Sequence, residues 1–334
     1  MRCDLKVSFA GPMVSLQDAG RPGLMRFGVP QSGPMDRRSL AIANTALGNL
    51  PQATGIEISL GGLQLECVAG AVSFAVAGGG FQVRLADRSL GPWTVATITE
   101  GQRLTIRPGK WGSWAMLAFA GDLQGQSWLG SRATHSQSGL GGGLLQTGAV
   151  VTIANGDTRA AREGDLTPFD RPAPKAALRV VMGPQDRFFD AAPQDSFLGS
   201  PFTLTEAYDR MGVRLSGAKL PVNAALDMAS EPILRGSVQV AGDGVATVLL
   251  ADHQTTGGYP KIATLIAPDL DTLVQRRSGD TVTFVAISPE QAIRAARLAH
   301  DHLTAYLDDL AKPRASLAER LMQSNLISGV TSGE

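Results

Sequence analysis

Short apolar or alternating runs, separated by glycine-rich turns, fill the first half of the chain. Glycine pairs and triplets such as Gly61-Gly62 and Gly78-Gly79-Gly80 mark the turns between them. The runs that we interpret as strands are 56–60, 63–68, 72–77, 81–85, 95–98, 104–106 and 116–119. Strands at such close spacing predict an antiparallel barrel or sandwich.

The same pattern resumes after a polar, proline-bearing segment at 155–177, where we place the domain boundary. The later runs are 178–182, 236–240, 247–250, 262–266 and 281–287. Short sequence echoes between the halves, such as SLQDAGRPGLMRFGVPQSG against AYDRMGVRLSG, favour a duplicated β-barrel. We therefore predict a mainly β protein with tandem barrel domains at 1–165 and 176–288.

Helical periodicity is found in two places. Asp36 is a predicted N-cap for a helix with apolar positions at Leu40, Ala43 and Leu47, which Gly48-Asn49 ends. A capping box at 288–291, with proline at its first helical position, opens a longer helix that reaches about residue 311.

The tail at 289–334 is accordingly predicted to be a C-terminal helical extension. Pro313 breaks the long helix, and Leu317, Leu321 and Met322 predict a shorter amphipathic one after it. Both helices pack on their own barrel in one interpretation, and they form an arm that docks a partner in the other.

Composition excludes several classes of protein. The chain has 334 residues, 43% of them hydrophobic and 18% charged, which suits two globular domains. A formal net charge of zero gives no basic field for nucleic acid or for an anionic membrane. We find neither a signal peptide nor an apolar stretch of about 18 residues. Cys3 and Cys67 indicate reduced thiols, and we expect a cytoplasmic protein.

Motifs of self-sufficient catalysts are missing from the sequence. It contains no GxxxxGK[ST] phosphate loop, GxGxxG dinucleotide fingerprint, HExxH zinc motif or GxSxG nucleophile elbow. His300 and His302 lie two residues apart on a predicted helix and would face different ways, so we expect no metal site. The chemistry must therefore come from polar residues in loops.

Two turn-rich runs, 11–36 and 251–261, carry fixed polar side chains and predict one small-molecule site built by both halves. Arginines offer a bidentate fork to a carboxylate, and Thr-Thr-Gly-Gly offers hydroxyl and backbone donors. A carboxylate beside a lysine makes Asp252 and Lys261 the catalytic candidates, as an acid/base pair or as a simple ion pair. The substrate-binding candidates are Gln17, Asp18, Arg21, Arg210, Arg214, Glu231, Gln239, Gln254, Thr255, Thr256 and Tyr259.

A structural interpretation competes with each of these assignments. Asp18 with Arg21, and Asp209 with Arg210, are alternatively buried ion pairs that brace their own loops. Glu57 fits a cross-strand pair better than a catalyst.

Several longer segments resemble the allophanate hydrolase subunit 2 family, also called the biotin-dependent carboxyltransferase family. They are SLQDAGRPG, GVPQSGPMD, ANTALGN, GPQDRFF, YDRMGVRLSG, SEPILRGSVQV and DHQTTGGYPKIATLIAPDL, which occur in this order from residue 15 to residue 270. The resemblance implies tandem cyclophilin-like β-barrels, in agreement with the duplication.

The resemblance also implies a function. A stand-alone chain without a biotin carrier resembles the C subunit of an ATP-dependent 5-oxoprolinase, which converts 5-oxo-L-proline to L-glutamate. Such a chain shares ATP with its partners, a subunit-B-like protein (allophanate hydrolase subunit 1) and a subunit-A-like protein. The alternatives are a carboxyltransferase that uses biotin supplied in trans and a non-catalytic regulatory binding protein.

Overall fold

The computed structural model describes residues 1–169, 177–223 and 228–312, and each of its sheets takes its strands from one half of the chain. Two sheets draw their strands from residues 3–165, in the orders β11-β12-β1-β4-β9-β6-β7 and β13-β8-β5-β10-β3-β2. These strands are β1 (Cys3–Ala10), β2 (Ser15–Gln17), β3 (Gly55–Ile58), β4 (Leu63–Ala69), β5 (Ala71–Gly78), β6 (Gln82–Leu85), β7 (Arg88–Leu90), β8 (Thr94–Thr99), β9 (Arg103–Arg107), β10 (Ala115–Phe119), β11 (Asp122–Leu123), β12 (Val150–Ala154) and β13 (Gly164–Asp165).

The second half builds an eight-stranded sheet, ordered β22-β15-β16-β19-β18-β21-β14-β23, and a separate pair, β17-β20. Its strands are β14 (Leu178–Met182), β15 (Phe202–Tyr208), β16 (Gly212–Ser216), β17 (Glu231–Pro232), β18 (Ser237–Val240), β19 (Ala246–Leu249), β20 (Thr256–Gly257), β21 (Lys261–Leu265), β22 (Thr281–Val282) and β23 (Phe284–Ala286). The helices are α1 (Arg37–Leu47), α2 (Ala191–Gly199), α3 (Ala267–Leu273) and α4 (Pro289–Ala311). The prediction of a mainly β fold with a C-terminal helix is confirmed.

Local sequence explains the elements that frame the candidate site. β10 and the central part of β5 are buried throughout, as their unbroken apolar runs require, whereas β4 alternates between buried and partly exposed positions. Asp36 caps α1 by accepting hydrogen bonds from the backbone N–H groups of Arg38 and Ser39. Gly48 ends the helix with φ of 77°, a left-handed conformation that glycine adopts without strain.

The two halves share a tightly bonded junction. Met35 and Trp114 belong to the first half of the chain but pack in the apolar core of the second. Gln275, on the other side, donates from Nε2 to the Asp36 carboxylate at 2.8 Å and accepts from the backbone N–H of Ser113 at 3.1 Å. The halves are therefore fixed to one another, and their division into domains at 1–165 and 176–288 stays a prediction.

Helix α4 follows the second half in sequence but packs largely on the first. Leu303, Tyr306, Leu307 and Leu310 lie against the first-half core, and the Tyr306 hydroxyl donates to the carbonyl of Thr167 at 2.6 Å. Helix α4 also contacts α1 of the first half and α3 and β14 of the second, so it packs on its own barrel only in part. The predicted break at Pro313 and the second helix lie outside the described residues.

Candidate functional site

Two of the predicted site residues, Gln239 and Lys261, lie where strands β18 and β21 of the eight-stranded sheet pair. Gln239 and Lys261 are direct partners in this antiparallel ladder, next to a bulge between Val238 and Gln239. Directly opposed residues project from the same face of a sheet, so the two side chains are neighbours. Both are buried, with exposed fractions of 6% for Gln239 and 1% for Lys261.

The terminal nitrogens of these two side chains have no hydrogen-bond partner among the described residues. Lys261 Nζ and Gln239 Nε2 are both buried donors without an acceptor. Burial lowers the pKa of Lys261, and the nearby Glu231 carboxylate opposes that shift. A buried donor left unpaired costs about 1–3 kcal/mol, more when it is charged. Two such donors at opposed positions of one ladder indicate a place for a ligand that brings acceptors.

Gln185 holds the acidic member of this group in place. Its side-chain Oε1 accepts from the backbone N–H of Lys261 at 2.9 Å, and its Nε2 donates to Glu231 Oε2. Gln185 is fully buried and ties the carboxylate of Glu231 to the strand that carries Lys261. Reasoning from sequence did not select Gln185, although it lies in the segment GPQDRFF that carries part of the family resemblance.

The run 254–259 covers these side chains. Gln254 Nε2 donates to Gln239 Oε1 at 3.4 Å, and the carbonyl of Thr255 accepts from the backbone N–H of Ile233. Strand β20 pairs with β17, which places Gly257 opposite Glu231. A Cβ on Gly257 would lie 3.1 Å from Gln239 Nε2 and 2.7 Å from the Ile233 side chain, so this position favours glycine. Thr256 and Tyr259 are exposed above. We call Gln185, Glu231, Gln239, Gln254 and Lys261 the amine cluster.

A second buried cation, Arg210, lies at the junction of the two halves. Its guanidinium donates to both Asp252 oxygens, from Nε at 2.9 Å and from Nη2 at 3.0 Å. It also contacts Glu57 Oε1 on β3 and donates to the carbonyl of Gly33 at 2.7 Å. Burial alone lowers the pKa of Arg210, but the two carboxylates raise it above its ordinary value. We call Glu57, Arg210 and Asp252 the junction network.

Asp252 is fully engaged in this network. Besides Arg210, its Oδ2 accepts from the backbone N–H of Ser136 at 3.0 Å and from the Ser136 hydroxyl at 2.8 Å. Burial raises the pKa of Asp252, but the Arg210 guanidinium and these donors hold it below its ordinary value. The carboxylate therefore stays ionised, and its ion-pair partner among the described residues is Arg210, with no contact to Lys261.

Gln17, Asp18 and Arg21 lie along one segment of the first half, residues 128–134. Gln17 Nε2 donates to the carbonyl of Thr134 at 3.1 Å, and Asp18 accepts from the Ser131 hydroxyl at 2.5 Å. Arg21 donates to the carbonyls of Trp128 at 2.9 Å and of Ala133 at 2.5 Å. Gln17 Oε1 and Arg21 Nη1 are buried without partners among the described residues.

The predicted residues therefore fall into separate groups. Four of them, with Gln185, form the amine cluster, and Thr255, Thr256 and Tyr259 lie in its cover. Arg210 and Asp252 join the halves, and Gln17, Asp18 and Arg21 bind the 128–134 segment. Arg214 is elsewhere: it pairs with Asp243 at 2.7 Å, and both side chains are about half exposed.

Metal-binding clusters and membrane-spanning helices are two further features that bear on function. Within the described residues, no group of three or more His, Cys, Asp or Glu side chains lies close enough to hold a metal ion. None of the helices in the described ranges combines the length and apolarity that a membrane crossing needs.

Comparison with known proteins gives consistent matches. The C subunit of 5-oxoprolinase from Escherichia coli (strain K12) is 35% identical over 87% of this chain and 94% of that protein. Urea amidolyase of Lachancea kluyveri is 28% identical over 92% of this chain, which corresponds to 18% of that protein. The crystal structure of TTHA0988 matches with a TM-score of 0.77 and 32% identity, over 85% of this chain and 56% of that one.

The family comparison covers both halves and the junction between them. The matching model is described as the carboxyltransferase domain, subdomain A and B, and it spans residues 27–286. That range contains the whole amine cluster and the junction network. The chain therefore belongs to the carboxyltransferase domain, subdomain A and B, family.

Proposed function

We propose that this chain is the C subunit of an ATP-dependent 5-oxoprolinase complex, which converts 5-oxo-L-proline to L-glutamate with ATP hydrolysis. The similarity to the C subunit of a bacterial 5-oxoprolinase, over 94% of that protein, supports the choice of complex. The observation that carries the proposal is the buried Lys261 ammonium, which has no partner in the described residues and lies beside Glu231. Such a cation suits a substrate that brings its own carboxylate.

The reaction opens a resonance-stabilised lactam. ATP makes this possible by converting the amide oxygen into a phosphate, which is a far better leaving group. The sequence has no phosphate loop of the GxxxxGK[ST] type. We therefore propose that ATP is held together with partner subunits, one B-like and one A-like. Within this chain, the amine cluster binds and orients the substrate.

The proposed complex works in the cytoplasm. Cys3 and Cys67 are buried free thiols whose sulfurs lie 3.7 Å apart without a disulfide, which suits a reducing compartment. Burial raises the pKa of Cys3 to about 12, so this thiol stays protonated.

The test is reconstitution. The chain is purified alone and with its B-like and A-like partners, and 5-oxoproline cleavage and ATP hydrolysis are measured together. We expect both activities only in the complex, and we expect Lys261→Met to remove at least about 99% of the coupled turnover. Lys219→Met is the matched control, because Lys219 is exposed and its ammonium donates to the carbonyl of Asp243 at 3.1 Å. Turnover by the isolated chain, or full activity of the Lys261 variant, would contradict the proposal.

A second candidate is a carboxyltransferase that uses biotin supplied in trans. The specific observation in its favour is the 28% identity to a urea amidolyase across 92% of this chain. A carboxylated biotin would present its carboxylate to the same Lys261 and Gln239 donors. Retention of the chain on a biotinyl carrier protein, with biotin-dependent carboxyl transfer and no 5-oxoproline cleavage, would favour this candidate. Ligand binding with neither activity would favour a non-catalytic regulatory role.

A further inference from the structure

We infer that Lys261, Gln239 and Glu231 form a recognition site for a carboxylate and the N–H group next to it in a cyclic α-amido acid. The inference rests on the proposed function for the choice of 5-oxo-L-proline as ligand. The division of roles among the three side chains comes from their own geometry.

The donor side of the site is the cross-strand pair Lys261 and Gln239. Both side chains leave the same face of the β18–β21 ladder at directly opposed positions, and both terminal nitrogens are buried without an acceptor. A carboxylate has two oxygens that accept hydrogen bonds at the same time. It therefore satisfies the ammonium with one oxygen and the amide N–H with the other, and it removes two unpaired buried donors at once.

The acceptor side is Glu231. Gln185 Nε2 donates to Glu231 Oε2, whereas Oε1 accepts no hydrogen bond within the described residues. The carboxylate lies close enough to Lys261 to oppose the lowering of its pKa, without forming an ion pair within 4.0 Å. A ligand that enters beside Lys261 thus meets a fixed acceptor, and the lactam N–H of 5-oxoproline is bonded to the carbon that carries its carboxylate.

The charges and the shape of the cluster select against other anions. One cation and one anion face the site, so a phosphate with nearly two negative charges would meet repulsion from Glu231. The backbone of Gly257 closes the cluster, because even a methyl group there would press on Gln239 Nε2 at 3.1 Å. A small monocarboxylate with an adjacent donor matches this arrangement.

Calorimetric titration of the full chain tests the inference with three probes. They are 5-oxo-L-proline, 2-pyrrolidinone, which lacks the carboxylate, and N-methyl-5-oxo-L-proline, which lacks the N–H. We expect 5-oxo-L-proline to bind at least about tenfold more tightly than either of the others. Equal affinity for all three probes, or no binding of 5-oxo-L-proline to the chain, would overturn the site.

Variants then assign the roles. Lys261→Met should weaken 5-oxo-L-proline binding about 10- to 100-fold and leave 2-pyrrolidinone unchanged. Glu231→Gln should instead abolish discrimination against the N-methyl probe. Gln185 Nε2 keeps the amide oxygen of the variant as its acceptor, so the NH₂ group takes the place of Oε1 and cannot accept from the ligand. Lys219→Met should bind all three probes like the wild type. A Lys261 variant that still prefers the carboxylate would overturn the donor assignment.

The outcome separates this inference from the proposed function. If the complex cleaves 5-oxo-L-proline but the variants keep wild-type discrimination, the recognition site is wrong and the function stands. If the chain discriminates as expected but the reconstituted complex does not cleave 5-oxo-L-proline, the function is wrong and the recognition site stands.

Discussion

Arg210 and Lys261 are both cations buried in the second half of the chain, and they differ in what surrounds them. Arg210 has two carboxylates and a backbone carbonyl as acceptors, from both halves of the chain. Lys261 has no acceptor for its ammonium within the described residues. The run 251–261 connects the two environments, since it holds Asp252 at one end and Lys261 at the other.

The difference separates a structural charge from a binding charge. A buried ion pair with every group satisfied fixes geometry, and removing one partner leaves the other charge orphaned. A buried charge without a partner destabilises the fold unless something outside the chain completes it. By this criterion we expect the junction network to align the two halves and the amine cluster to bind the proposed ligand.

The largest effect should come from Arg210→Met. This change leaves Glu57 and Asp252 as buried carboxylates without their cation, and we expect a loss of roughly 3–5 kcal/mol in the free energy of unfolding. Arg214→Met is the control, because its ion pair with Asp243 is half exposed and contributes at most about 1 kcal/mol. Urea denaturation measures both. A loss under about 1 kcal/mol for the Arg210 variant would remove the distinction between the two cations.

The junction prediction can be sharpened by neutralising the whole network. Arg210→Met combined with Glu57→Gln and Asp252→Asn removes all three charges of the junction network, so none of its members is left as an orphaned charge. We expect this triple variant to recover about half or more of the stability lost by Arg210→Met alone, because orphaned charge is the main cost. No recovery would show that packing, and not charge, gives Arg210 its role.

Arg21 should behave more like Arg210 than like Lys261. It forms no ion pair with Asp18, and its guanidinium donates to carbonyls of the 128–134 segment and lies over the Trp128 ring at 4.8 Å. Arg21→Ala should therefore cost roughly 2–3 kcal/mol, because buried carbonyls lose their donors. Thermal melts and complex activity are measured on the same variant. A fully stable but inactive Arg21→Ala would instead mark its unpaired Nη1 as a ligand donor.

Sequence reasoning anticipated the elements that depend on local signals. Strand β4 and helix α1 lie within one or two residues of their predicted bounds, because turn glycines, apolar runs and the Asp36 cap are all local. The seating of α4 on the first half was not predictable in this way. An apolar stripe indicates that a helix is covered, but not which surface covers it.

The residue types of the site could be predicted from the sequence, but the hydrogen-bond and ion-pair partners of each residue could be predicted less well. Lys261, Gln239 and Glu231 were selected from polar character in turn-rich sequence. Their convergence depends on the register of β18 with β21 and on the pairing of β17 with β20. The alternative pairing of Asp209 with Arg210 is wrong, since Asp209 accepts from Met211 and Gly212 backbone N–H groups. The partners of Arg210 lie 42 and 153 residues away, and no local pattern indicates contacts of that range.

Lys261→Met should change the free energy of unfolding in the opposite direction to Arg210→Met, and by a smaller amount. Removing an unpaired buried ammonium should raise the free energy of unfolding by roughly 1–2 kcal/mol, while activity of the complex is lost. Because the pKa of Lys261 is lowered in the folded state, the unfolded chain binds more protons just below pH 10.5. Wild-type stability therefore rises through that window, and the advantage of the variant should shrink as the pH approaches 10.5. A variant less stable than the wild type at pH 7 would mean that the ammonium already has a partner.

We expect the smallest effect on stability from His253, which lies in the run 251–261 that connects the surroundings of Arg210 and Lys261. Its imidazole is buried and contacts the carbonyl of Gln254 at 2.6 Å through Nδ1. Burial lowers the pKa of His253, the Gln254 carbonyl and Asp252 oppose this, and Arg235 and Arg37 add to it. The folded protein therefore holds a neutral ring. The same run carries Lys261, whose ammonium is also buried, without an acceptor in the described residues.

Lowering the pH should destabilise the folded protein, because the folded state favours the neutral form of His253. Below about pH 6.5 the unfolded chain binds a proton at His253 that the folded chain does not, so the free energy of unfolding falls as the pH decreases toward the lowered pKa. We expect His253 to account for about 1 kcal/mol or less of the loss between pH 7.5 and pH 5. Urea denaturation of the wild type and of His253→Asn at both pH values isolates this share, because all other titrating groups are common to both. Equal pH dependence in the two proteins would show that His253 titrates alike in the folded and unfolded states. A steeper loss in the variant would show that the folded protein stabilises the imidazolium, which would reverse the contrast between this run and the satisfied junction around Arg210.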